Sequence, residues 1–329
     1  MTSPAKTIGA NTVTVDGDDA KEQLRRPEDL YKDHQGVPIW TRPDAVRGRQ
    51  AIMFEEHGFL TVAEIDDNSL SDHYLNYFMR VNEMTSDVRR CHLKAMSVFQ
   101  RVVFSTDWLR DRYFKAFRDL GRLPELVVCR NHADLDDWHE PEPSNRIRVG
   151  WAGSPQHMRD LKFVAPALSW ARGAGHEVVH MGYDPRNTTG VTDPKAIDAC
   201  FAWSAIITKQ IPWVDDPEVY HRKPLPFDIG LAPLERNDNT LGKSDVKWIE
   251  YTMAGAATVA SSGTVYRDIV HGETGFLAGS PDEFTYWTKY LCEHPATRQE
   301  LVRGAEEYIR SNRTMQVQGK AEWEAAISA

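Results

Sequence analysis

KSDVKWIEYTMAGAATVASSGT, from Lys243 to Thr264, is the stretch whose reading decides the fold. It carries a helix-like segment, a short run of small residues and a Ser-Ser-Gly-Thr turn. At about 100° per helical residue, with Lys243 at zero, Lys247 falls near 40° and Glu250 near −20°. Val246, Ile249 and Met253 fall in a second stripe at about 240–300°. One reading is a solvated face on which Lys247 and Glu250 pair at i,i+3. The other is a wall of a site. The context favours the site. Ser244 is a capping residue, Asp245 lies in the first turn, and Lys243 stands beside a helix start that suits an anion. Gly255 ends the helix, and ATVAS is the continuous apolar run of a strand covered on both faces. It leads through Ser262, Gly263 and Thr264 towards a further expected helix, an arrangement of backbone N–H groups that suits a phosphate. Ribose hydroxyls suit a carboxylate, which gives Glu250 a role beside the phosphates.

Working outward, FDIGLAPL precedes this stretch as a clear strand, and GFLA follows it as a small one. Two helices, about Pro281–Cys292 and Ala296–Ser311, come next, and Gln316–Ser328 reads as a last helix that packs back on the other half. Upstream, RIRVGW is a strand, AGSPQ a tight turn, His157–Ala171 an amphipathic helix and EVVHMG a strand. A helix over Asp193–Trp203 and a strand at AIIT are expected. The first half alternates in the same way. GVPIW, FLTVAEI, RVVF and ELVVC are strands; Val46–His57, Ser71–Val81, Ser86–Phe99 and Trp108–Leu120 are helical, the last capped by the Ser105–Thr106–Asp107 cluster. Such alternation indicates βαβ units and parallel sheets. ADLDDWHEPEPSN, residues 133–145, is acidic and aperiodic and reads as the linker. The expected organisation is α/β: two Rossmann-like domains facing a cleft, the N-terminal one reduced. A mobile polar extension takes residues 1–35, the first domain and linker 36–145, the second domain 146–311, and the C-terminal helix 312–329.

Composition bounds the partners. The chain has 329 residues, a formal charge of −9, and 41% hydrophobic against 26% charged residues, so it has material for two cores. That acidity argues against a general nucleic-acid binder, and any anionic ligand must meet a local positive site. The sequence has no apolar run of about 18 residues and no signal peptide at its start. The four cysteines, Cys91, Cys129, Cys200 and Cys292, are widely spaced and form no C-x-x-C pair. This fits reduced cytoplasmic thiols. A nicotinamide dehydrogenase is disfavoured, because no G-x-G-x-x-G follows a strand.

The ordered string FDIGLAPL…GKSDVKWIEYTMAGAATVASSGTVYRDIVHGETGFLA resembles the donor half of GT-B glycosyltransferases, specifically family 4-like proteins of bacteria and their phages. VGWAGSPQHMRDL resembles the first strand and turn of that domain, and NHADLDDW the segment that ends the acceptor domain. The resemblance covers residues 147–311 closely and 36–146 loosely. It implies transfer of a sugar from a nucleoside diphosphate sugar to an acceptor hydroxyl, with the acceptor a glycan, a lipid-linked sugar or a protein side chain. It implies no cofactor, and no metal, since the donor half lacks Asp-x-Asp. It places the protein in the cytoplasm, or the host cytoplasm for a phage-encoded chain. Glu250 matches the second glutamate of the family's E-x7-E pair, on the donor ribose, while the first falls at Gly242. Trp151 and Gln156 stand where the family often has an Arg and a Lys for the diphosphate, so Lys243 and Lys247 take over that charge, with Gly153 and Ser154 allowing close approach. Ser262, Gly263 and Thr264 match the phosphate turn, and Trp213 the base-binding segment Ile211–Trp213.

On the acceptor side, Asp66 and Asp67 end a strand near the expected cleft. They are expected either to orient an acceptor hydroxyl or act as its base, or to cap the next helix. His132 is either a catalytic cleft residue or a hydrogen-bonded linker histidine, and His157 reads as structural. Two further readings stay open: a degenerate member that binds a nucleotide sugar or a protein without catalysis, and a nucleotide-sugar 2-epimerase.

Overall fold

A computed structural model of the chain describes residues 37, 39–41, 43, 45–71, 86–138, 143–153, 157, 160–182, 184, 198, 202–212, 214 and 225–328. The expected extension at 1–35 and most of the helices expected at 71–81 and 193–203 lie outside them.

The first sheet joins β1 (Ile39–Thr41), β2 (Val62–Ile65), β3 (Arg101–Phe104) and β4 (Glu125–Val128) in that spatial order, all parallel. Each crossover steps one strand over in the same direction. Right-handed connections therefore put α1 (Ala45–Glu56), α2 (Ser86–Met96) and α3 (Asp107–Leu120) on one face. There Ala63, Ile65, Val102 and Phe104 pack against Ala51, Met96, Leu109, Tyr113 and Phe117. Thr106 caps α3 by accepting from Leu109 N, and Gly121 closes it in the left-handed region at φ +73°.

That winding leaves the other face bare. Val62 and Val103 point to it, and Trp323 and Ala326 of α8 (Lys320–Ile327) cover it. Arg101 Nη1 fastens the end of α8 by donating to the carbonyls of Ala326 and Ser328.

The second sheet has the order β10-β9-β8-β5-β6-β7, again all parallel. Its strands are β5 (Arg148–Gly153), β6 (Glu177–Gly182), β7 (Lys209–Pro212), β8 (Ile229–Ala232), β9 (Ala257–Ser261) and β10 (Phe276–Ala278). Alternate residues feed two cores. Val149, Trp151, Ile229, Leu231, Ala257 and Val259 pack against α4 (Ala165–Gly173) and α6 (Pro281–Glu293). Ala152, Ala232 and Ala260 pack against α5 (Val246–Met253) and α7 (Pro295–Asn312). Apolar residues on both faces account for the unbroken apolar runs in these strands.

Two expectations in this half need correction. Pro166 fixes the start of α4, so the helix opens at Ala165, not at His157. AIIT is not a strand: residues 202–206 are helical, and the strand is the next segment, KQIP.

The chain crosses between the sheets twice, and the crossings run side by side. Ala133 N donates to Arg313 O at 2.8 Å, and Met315 N donates to Ala133 O at 2.7 Å. Arg313, buried, ties them to the second sheet's helices. Its guanidinium donates to both oxygens of Asp245 at 2.8 and 3.0 Å, to Asp268, and to Asn131 O at 2.9 Å.

Candidate functional site

In the second sheet the winding reverses between β5 and β8, and the carboxyl ends of strands at such a switch point form a ligand crevice. β5 ends in Gly153. Lys247, from the first turn of α5, reaches over that end: Nζ donates to Ala152 O at 2.6 Å and lies 5.5 Å from the centroid of the Trp151 ring. Gly153 is required here, since a Cβ would lie 2.6 Å from the Trp151 ring and 3.2 Å from Lys247 Nζ. Lys247 is mostly buried and pairs with no carboxylate among the described residues. Burial, then the charge of Lys243, lowers its pKa, against the opposing charges of Glu250 and Asp160.

Tyr251 builds the crevice floor. Its ring lies on Gly230, and its hydroxyl donates to Leu231 O at 3.1 Å while accepting from Ala152 N at 3.3 Å. It thus clamps β8 to β5 at the switch point. His157 Nδ1 donates to Asp160 Oδ2 at 2.8 Å, and Asp160 Oδ1 accepts from Glu235 N at 2.7 Å, joining the loops after β5 and β8. Burial, followed by the charges of Lys247 and Lys243, pulls the His157 pKa down to about 4 against the Asp160 hydrogen bond, so the ring is neutral at pH 7.

At the end of β9, Ser261 Oγ accepts from Leu234 N at 2.8 Å, and the buried Thr264 hydroxyl donates to Ser261 O at 2.8 Å. Gly263 turns the chain at φ +66°. The N–H groups of Gly263, Thr264 and Val265 donate to no described residue. The expected helix after this turn is absent. The chain instead folds back through turns around Gly272 to β10, with Glu273 N and Thr274 N both donating to Val270 O. Any anion here meets turn N–H groups without a helix dipole behind them.

Scans against protein-family models and curated proteins match nothing. Solved structures do match. Anabaena Alr3699/HepE, solved with UDP-glucose, shares 13% identity over 87% of this chain and 78% of its own, with TM-score 0.63. Sucrose-phosphate synthase from Thermosynechococcus elongatus shares 11% over 91% of this chain and 75% of its own, with TM-score 0.62. A UDP-forming trehalose-phosphate synthase from Burkholderia xenovorans shares 12% over 92% and 77%, with TM-score 0.56. The fold is GT-B.

Within this GT-B frame the expected site residues are not all brought together. Lys247, Glu250 and Gly153 lie at the switch point, with the 262–264 turn at the end of neighbouring β9. Lys243 does not share the helical stripe. It follows a 3₁₀ turn, Thr240–Gly242, in extended backbone at ψ 166°, and α5 opens only at Val246. Ser244 is not the cap either, because its Oγ accepts from Asn131 Nδ2 at 2.6 Å, and Asp245 at the cap position is held by Arg313. Lys243 instead meets Asp67 across the domains, Nζ to Oδ1 at 3.1 Å. The buried face of α5 is wider than one stripe: Trp248, Tyr251 and Thr252 are buried with Ile249 and Met253, whereas Val246 is only partly so. Tyr251 is not among the residues the sequence singles out; the aromatic pair spaced i,i+3 in WIEY is the signal that would have found it.

His132 is turned to the C-terminal segment. It is buried, its Nδ1 lies 2.7 Å from Arg130 O, its Nε2 lies 3.7 Å from Glu322, and Gly319 packs on the ring. Desolvation lowers its pKa to about 4. Ser154 and Trp213 lie outside the described residues, as do Gln156 and Cys200. Among the described residues no cluster of three or more His, Cys, Asp or Glu could hold a metal, and no helix is long and apolar enough to cross a membrane.

Proposed function

We propose that the protein is a glycosyltransferase, of the family 4-like, hexose-transferring type. It moves a sugar from a nucleoside diphosphate sugar to an acceptor hydroxyl, without a metal, in the cytoplasm of a bacterium or a phage host. The observation that carries this reading is Lys247: a mostly buried ammonium at the switch point whose hydrogen-bond partner is a carbonyl and which meets no carboxylate among the described residues. A diphosphate supplies the missing anion. Lys243 and the N–H groups of Gly263, Thr264 and Val265 add to its binding, and Glu250 accepts from the ribose. The acceptor oxygen bonds to the anomeric carbon as the bond from that carbon to the diphosphate breaks. The electron pair leaves with the diphosphate, and the acceptor proton passes to a carboxylate, for which Asp67 is the candidate on the first domain. Most of the rate then comes from positioning and from stabilising the departing charge. The UDP in the HepE structures supports UDP as the first nucleotide to try. Ser154 and Trp213 belong to the proposed donor site by the family pattern, and His132, held by the C-terminal segment, has no part in it.

A non-catalytic nucleotide-sugar binder is the second reading, favoured by Gly242 where the family has an acid. The test is incubation with UDP-, GDP-, ADP- and TDP-sugars while following nucleoside diphosphate release. Binding with no release, either by hydrolysis or to a glycan, lipid-linked or protein acceptor, favours the second reading. Absence of both binding and release sinks both.

A further inference from the structure

The His157–Asp160 pair has no part in the donor site described so far, and its geometry is that of an oriented acceptor. Asp160 is buried and both of its oxygens are engaged: Oδ1 accepts from Glu235 N at 2.7 Å, and Oδ2 lies 2.8 Å from His157 Nδ1. A carboxylate only accepts, so Nδ1 carries the ring proton and Nε2 keeps its lone pair. Joining the loops after β5 and β8 uses Nδ1 alone. No described residue bonds to Nε2.

The ring stands at the switch point. Its centroid is 6.1 Å from that of Trp151, edge-on, and Lys247 Nζ is 5.5 Å from the same indole. His157 and Lys247 thus stand against one ring at the carboxyl end of β5. The His157 side chain is 12% exposed, so a ligand in the crevice can reach it.

Charge decides which group of the ligand that is. Phosphate oxygens present lone pairs at neutral pH, and a nitrogen lone pair gains nothing from them. Protonation would change this, but desolvation is the first cause of the lowered His157 pKa. A diphosphate on Lys247 and Lys243 offsets only the lesser influence of the two ammonium groups. The low pKa also makes the ring a poor proton acceptor near pH 7. Its partner is then a neutral donor, such as a hydroxyl. The ribose already has Glu250 in the donor reading, which leaves the sugar.

We propose that His157 Nε2 accepts a hydrogen bond from one hydroxyl of the donor's sugar, with Asp160 as the positioning residue that fixes the tautomer. This rests on the donor reading above.

Calorimetric titration of the full chain first finds the donor among UDP-glucose, UDP-N-acetylglucosamine, GDP-mannose, ADP-glucose and TDP-glucose. Analogues of that donor with fluorine in place of one sugar hydroxyl at a time then probe the contact, since fluorine cannot donate. In wild type one analogue should bind roughly two- to tenfold more weakly than its parent, the scale of a single hydrogen bond. In His157→Ala that penalty should vanish, while the nucleoside diphosphate without sugar binds within about twofold of wild type. His157→Phe fills the space without an acceptor and replaces the alanine variant if thermal melts show it unfolded. Asp160→Asn tests the positioning. Its amide donates to Nδ1 and moves the ring proton to Nε2, which nitrogen NMR of the imidazole reads directly. The ring then donates, and the fluorine penalty should shrink. Wild type that tolerates fluorine at every position overturns the contact. So does a penalty that survives in His157→Ala, or equal weakening of the donor and the bare nucleoside diphosphate. In each of these cases the donor reading stands. If no nucleotide sugar binds wild type, the donor reading falls and takes the contact with it.

Discussion

Replacing Lys247 by Met separates a ligand-binding ammonium from a structural one. Methionine keeps an unbranched apolar stem of similar length and removes the charge. Three terms change in the folded protein. The hydrogen bond to Ala152 O is lost, at about 1 kcal/mol. The contact with the Trp151 ring is lost, at about 0.5–1 kcal/mol. Against these, the cost of holding a desolvated ammonium disappears, and it is of the same order or larger. The variant should therefore lie within about 1 kcal/mol of wild type in urea unfolding near pH 7. Had Lys247 been half of a buried ion pair, breaking it would cost about 3–5 kcal/mol. The sign of the pH dependence follows from the depressed pKa. In the window between the folded and the unfolded Lys pKa, the unfolded chain binds more protons, so wild-type stability rises with pH there. The penalty is full below the folded pKa and gone above about 10.4. Any stability advantage of Lys247→Met should shrink as pH climbs towards that value. Nucleotide binding should respond in the opposite sense to stability: loss of a charge-assisted bond to phosphate, about 1.5–3 kcal/mol, weakens UDP roughly ten- to hundred-fold. A variant that unfolds more than 2–3 kcal/mol early while binding UDP like wild type would refute the assignment of Lys247 to an anion site.

Arg313→Leu strands the buried carboxylate of Asp245 and leaves Asp268 with the more distant Arg130, and should cost about 3–5 kcal/mol by chemical denaturation, because both crossings between the sheets depend on it. Trp323→Ala uncovers the face of the first sheet that the winding leaves bare. A loss of about 3–5 kcal/mol is expected, and hydrogen exchange should rise in β2 and β3 ahead of the second sheet. Gly153→Ala forces Trp151 and Lys247 apart and should lower UDP affinity in a titration more than it lowers the melting temperature.

The periodicity of the chain carries most of the fold. RVVF, EVVHMG and ATVAS coincide with β3, β6 and β9 because each is a short apolar run with no competing local signal. AIIT misleads for the same reason: three apolar residues in a row do not distinguish a strand from the end of a helix, and only the sheet pairing of Lys209–Pro212 decides. The position of Lys243 was not legible. Ser and Asp before an apolar period are the usual marks of a helix start, but here Asn131 and Arg313, more than 60 residues away on either side, take both side chains. Capping groups that find tertiary partners lose their local meaning, and the helix opens later.

The same long-range contacts explain why the site is legible only in part. Spacing alone puts Lys247 and Glu250 on one side of a helix, since both lie on α5. The strand end put Asp67 near the cleft, but its pairing with Lys243, 176 positions away, has no local signal. The crowding at Gly242 is likewise invisible locally: glycine is there because Asn68 and Leu109 of the other domain fill the space, while no left-handed backbone at that position calls for it. Spacing within one helix was readable, and contacts with the other domain were not. A cleft between two domains concentrates the second kind. The crowding at 242 and the ion pair at 67 are thus two sides of one packing arrangement: where the domains meet at Gly242 there is no space for a carboxylate, and one residue from Asn68 in that contact Asp67 pairs with Lys243.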